Sequence, residues 1–180
     1  MHVINPNITI RQKQVIYGTV LGGSCLVKTK NSKNSYLIIN GKDEVWANYK
    51  INQLNSLGTS DKTPWRSVSY PIFNEVRSLF YKNNKRSLSK QSLIDLRLTD
   101  IAWSIWFGDC GQIKSNKIKL RTNIWGEAGS EAIVEYFKDM DFSAKTEQDR
   151  NCWRVVLDEN SSKSFLKYVT RVLPYSLLKR

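Results

Sequence analysis

The chain repeats itself once, and this constrains its fold more than any other feature. Two copies of one supersecondary unit bury their apolar faces most simply on each other. "VLGGSCLVKTK" from Val20 and "FGDCGQIKSNK" from Phe107 superpose. Tyr49 and Tyr136 keep the same spacing, inside stretches that both read as helices. Trp65-Arg66 and Trp153-Arg154 keep it to within one residue, and the second copy carries a short insertion before its last helix. Three correspondences at nearly one offset predict two similar halves, residues 1–90 and 91–180, in one compact pseudo-dimeric unit.

Each half can be read coarsely. "QKQVIYGTVLGG" predicts a short helix, and "CLVKTKNSKNSYLIING" alternates on both sides of a turn, as a hairpin does. "KDEVWANYKINQLNSLG" has apolar residues at helical spacing and stops at a glycine. "TPWRSVSY" reads as a strand, and "PIFNEVRSLFYKN" starts a helix with proline. "NKRSLSKQSLIDLRLTD" is the joint, and "LTDIAWSIWFG" is a capped apolar helix opening the second half. "CGQIKSNKIKLRTNIW" then reads as a hairpin, "SEAIVEYFKDM" as a helix, "RNCWRVVLD" as a strand and "SSKSFLKYVTRVL" as the last helix. The class is α+β. The first helices of the halves are the natural seam, where Gly18 and Gly22 on one side and Ser104 and Gly108 on the other would let backbones approach.

Charge narrows the partner. Twenty-eight Lys and Arg against sixteen Asp and Glu leave a net charge of +12, which attracts polyanions, nucleic acid above all. No stretch reaches the roughly 18 apolar residues of a spanning helix. "MHVINPNITIRQKQ" lacks the apolar core of a secretory signal, so an intracellular place is expected: cytoplasm, nucleoid or an organelle matrix. Cys25, Cys110 and Cys152 form no CxxC pair and read as reduced thiols, Cys25 and Cys152 as small buried residues. The one histidine, His2, lies near the terminus, which excludes Ser-His-Asp and Cys-His catalysis and zinc fingers. Any chemistry must use carboxylates, lysines or oxygen-held metals.

"LRLTDIAWSIWFGDCGQIKSNKIKLRTN", "IYGTVLGGSCLVK" and the closing "SFLKYVTRVLPYSLLKR" together resemble the LAGLIDADG homing endonucleases in their single-chain, two-motif form. The resemblance spans nearly the whole chain. It implies two αββαββα-like halves packed through their motif helices, with two antiparallel sheets forming a saddle on nucleic acid. It also implies that each motif ends in an acid holding a divalent metal for double-strand cleavage. Carried over residue by residue, the acid positions fall on Gly23 and Cys110. Glycine cannot ligate, and a thiol with an ordinary pKa of about 8.5 is a poor ligand for magnesium. Asp109 is turned by about 100° from its neighbour Cys110 and reads as a helix-end or supporting residue, away from the shared site. The chain is expected to hold no cofactor, with magnesium required only if nuclease activity persists.

Binding would remain. Lys28 and Lys30 alternate in the first hairpin with Lys33 at its tip. Lys117, Lys119 and Arg121 alternate in the second, with Lys114 just before. Arg66 and Arg154, after the paired tryptophans, could reach the same face. Trp46, Trp65, Trp103, Trp106 and Trp153 read as core, whereas Trp125, beside "GEAGSE", stays open as a base-stacking residue. Three functions follow: a sequence-specific duplex binder acting as a monomer, a group I intron maturase acting on RNA, or a working endonuclease with substituted ligands. Duplex DNA is favoured over structured RNA.

Overall fold

A computed structural model describes residues 6–41, 43–58 and 63–173; His2 and the closing Pro174–Arg180 lie outside it. Two helices form the centre. Helix α1 (Ile10–Leu21) starts at a reciprocal cap, in which the Thr9 side chain accepts from the Gln12 backbone and the Gln12 side chain accepts from Thr9. Nearly all of its second half is buried. Its partner is the apolar helix Asp100–Cys110. A Cβ on Gly18 would lie 2.5 Å from the Ala102 carbonyl oxygen, so the two backbones touch there. Buried Gln14 bridges the halves, donating to the Arg97 carbonyl at 3.1 Å and accepting from the Thr99 amide at 2.9 Å.

The first half continues as β1 (Cys25–Val27), β2 (Tyr36–Ile39), α2 (Glu44–Leu54), β3 (Trp65–Arg66) and α3 (Ile72–Phe80). Its sheet is antiparallel in the order β1-β2-β3. The joint holds the small hairpin β4 (Tyr81–Lys82) and β5 (Lys85–Arg86), then α4 (Lys90–Leu96). Asn83 and Asn84 turn that hairpin at φ 50° and 62°, which suits a two-residue turn of the hand strands prefer. The central helix Asp100–Cys110 is α5, followed by β6 (Gly111–Lys114), β7 (Lys117–Arg121), α6 (Gly126–Lys138), β8 (Ala144–Asp149), β9 (Cys152–Leu157) and α7 (Glu159–Val169). This sheet is antiparallel in the order β6-β7-β9-β8.

The second half is thus a full αββαββα unit. The first has the same order with its outer strand reduced, among the described residues, to a single bridge between Gly58 and Ser67. The sequence reading omitted β8, α4 and the β4–β5 hairpin. "AKTEQD" in β8 lacks apolar alternation because that strand is largely exposed.

The core is aromatic. Trp103 stacks on Phe137 at 5.3 Å and meets Phe165 edge-on at 5.5 Å. Trp46, Trp65, Trp103, Trp106 and Trp125 are buried and Trp153 half-buried. Trp125 therefore belongs to the core and presents no stacking platform. Two indoles cross the seam in opposite directions. Trp46 from the first half donates to Asp109 at the end of α5, and Trp125 from the second donates to the Leu21 carbonyl at the end of α1.

Candidate nucleic-acid interface

The second sheet builds one strongly basic face. Along β7, Ile118 and Leu120 are fully buried, which turns Lys117, Lys119 and Arg121 to the other side. Pairing sets Lys114 opposite Lys117, Gln112 opposite Lys119 and Arg154 opposite Arg121. Strand β8 adds Lys145, Glu147 and Asp149 across from Val156, Arg154 and Cys152. Lys145 escaped the sequence reading together with its strand. Two carboxylates temper this face: Glu147 lies 3.1 Å from Lys119 and 3.2 Å from Lys145, and Asp149 lies 3.1 Å from Arg154. Hydrogen bonds from Lys119 and Lys145 hold the Glu147 carboxyl below the usual carboxylate range. Lys114 and Lys117 face each other directly, an arrangement that repels itself until an anion lies across it.

The first sheet differs. Leu26, Leu37, Ile39 and Trp65 go to the core, so Cys25, Val27, Tyr36, Ile38 and Arg66 form the opposite face. Strand β1 ends at Val27. Lys28, Lys30 and Lys33 therefore do not alternate along a strand but lie exposed in the loop of residues 28–35. That loop is tied to α3: Asn74 accepts from the Ser35 amide at 2.9 Å and donates to the Lys33 carbonyl at 3.3 Å. Cys25 and Cys152 are half-buried members of the two open faces, not small core residues.

Between the sheets, at the helix ends, lies a cavity of about 640 Å³ lined by Gly22, Gly23, Lys50, Asp109, Arg121 and Cys152, among others. Asp109 does not turn away from it. Its carboxylate accepts from Trp46 Nε1 at 2.7 Å and from Lys50 Nζ at 2.5 Å, and its Oδ2 has no hydrogen-bond partner among the described residues. Burial pushes the Asp109 carboxyl up, against the opposing pull of Lys50 and Trp46. Gly22 is required here, because a Cβ would overlap the Asp109 side chain. Of the proposed seam residues, Gly18 and Gly22 do face α5. Ser104 instead donates to the Asp100 carbonyl at 2.6 Å with the Val169 carbonyl sharing that proton at 3.1 Å, and Gly108 makes room for Trp46. Helices α2 and α7 claim that side of α5.

The two motif ends each hold a basic side chain of the first half. At one, Arg86 donates to the Gly23 and Ser24 carbonyls at 2.9 and 2.8 Å and lies over the Trp125 ring. At the other, Lys50 holds Asp109. Neither was visible in the sequence, since both act across long separations. Gly23 has φ 125°, a left-handed conformation that favours glycine. The Cys110 thiol donates to the Trp106 carbonyl at 3.3 Å, and burial, with the Asp109 charge next, pushes its pKa far up. A divalent ion does not fit these residues: one position has no side chain, the next keeps its proton, and the nearest carboxylate is engaged by Lys50. Among the described residues, no three His, Cys, Asp or Glu side chains converge as a metal site. Nor does any described helix have the length and apolarity to cross a membrane.

No curated protein sequence matches the chain. Solved structures share its fold. The homing endonuclease I-WcaI bound to its DNA recognition sequence superposes with a TM-score of 0.83 at 13% identity, covering 96% of this chain and 86% of that one. Mesophilic variants of the homing endonuclease I-DmoI superpose at 0.54 and 9% identity, covering 91% and 97%. Full-length DUF199/WhiA from Thermatoga maritima gives 0.53 at 11%, covering 97% of this chain and 60% of that protein. Residues 13–165 match the profile of the LAGLIDADG DNA endonuclease family, to which this chain, with its paired motif helices and two antiparallel sheets, belongs.

Proposed function

We propose that the protein binds duplex DNA sequence-specifically, as a monomer, through its two sheets, and does not cut it. The observation that carries the binding is the second sheet's face. Lys114, Lys117, Lys119, Arg121, Lys145 and Arg154 share one side, and two lysines stand directly opposed. A sheet face of this kind fits a major groove, and the surplus cations neutralise the flanking phosphates. The likeness to I-WcaI, solved on its DNA recognition sequence, agrees with that reading. The absence of cutting rests on the motif ends, taken as Gly23 and Cys110. Neither offers a side-chain oxygen ligand, and one oxygen of the neighbouring Asp109 is engaged by an internal ammonium.

The test is selection of bound duplexes from a random pool, followed by titration across salt concentrations and incubation of the selected duplex with magnesium or manganese. One retained sequence family, an affinity falling steeply with salt and intact strands are expected. Strand breaks would restore the endonuclease. Weak, unselective duplex binding with faster splicing of a cognate group I intron would make the chain a maturase.

A further inference from the structure

The two sheets present different chemistry at equivalent places. By the repeat, Cys25 and Val27 correspond to Gln112 and Lys114. Their cross-strand partners Ile38 and Tyr36 then correspond to Lys119 and Lys117. Where the second half carries cations, the first carries aliphatic and aromatic side chains, partly exposed and backed by the buried row Leu26, Leu37 and Ile39.

We infer that the first half reads its part of the duplex by apolar contact with thymine methyl groups, so that the target is thymine-rich on that side and mixed on the other. This rests on the DNA-binding reading above. The C5 methyl of thymine is the apolar feature that a major groove displays, and Val, Ile and ring edges match it. The patch is only a few side chains wide, too small for a stable protein interface, which needs about 1,000 Å² or more. It is also bounded by cations. Arg66 stands opposite Ile38, and Lys28, Lys30 and Lys33 lie on the loop that runs off β1. A rim of positive charge around an apolar floor suits phosphates beside methyl groups better than the apolar face of a second protein.

The probe is the selected duplex with deoxyuridine in place of thymidine, which deletes the methyl and keeps every hydrogen-bonding group. Substitution in one half is expected to weaken binding about three- to fourfold per contacted thymine, and substitution in the other half to leave it unchanged. Ile38→Ala and Val27→Ala, checked for folding by circular dichroism, should each reduce that penalty. Duplex binding that ignores uridine in both halves overturns this inference and leaves the DNA-binding reading standing. Equal penalties in both halves, or penalties that neither variant changes, overturn it as well. A chain that retains no duplex overturns both.

Discussion

At Gly22 the seam is closed to any side chain, because a Cβ there would occupy the space of the Asp109 carboxylate. Gly22→Ala is expected to lower stability by about 1–3 kcal/mol in urea unfolding, as overpacking of a tight core does. The charge pair beneath it has a larger effect. Lys50 is only 3% exposed and Asp109 11%, so losing the ammonium strands a buried carboxylate. Lys50→Met should cost about 3–5 kcal/mol, whereas Lys50→Met combined with Asp109→Leu should recover most of it. A double variant no more stable than the single one would show that the pair is not coupled. Sequence could not supply these partners, because Asp109 meets Lys50 and Trp46 at separations of 59 and 63 residues.

The second sheet works as an element through Glu147, which draws Lys119 and Lys145 together. Its folded pKa is depressed, so its contribution to stability is present above the ordinary glutamate value of about 4.3 and is lost as pH falls through the lower folded value. Glu147→Gln should flatten that acid-side loss in urea titrations run at a series of pH values. The same change releases two lysines, so DNA affinity should rise and its dependence on log salt should steepen by about one unit per released phosphate contact. A fall in affinity would instead place Glu147 on the DNA side of the balance, accepting a hydrogen bond from a base. Strand β7 was legible because its lysines alternate with core residues. Strand β8 was not, because it alternates polar with polar, and only pairing with β9 makes it a strand.

Across the whole molecule, each half completes the other. Trp46 of the first half holds the Asp109 side chain at the end of α5, Trp125 of the second caps the end of α1, and Gln14 ties α1 to the start of α5. Such exchange leaves neither half a closed core, so one cooperative transition is expected, with near-ultraviolet and far-ultraviolet dichroism coincident in urea. Two separated transitions would make the halves independent domains. The repeat, the basic excess and the alternation of β7 are written locally, in spacing and side-chain type, and the sequence alone therefore determined the two-part α+β frame and its attraction to polyanions. Packing decided the rest. It turned Ser104 and Gly108 toward α7 and α2, buried Trp125, and brought Asp109 to Lys50. It also made one sheet apolar where its twin is charged, because which face of a short strand looks outward depends on the register and neighbours that tertiary contacts impose.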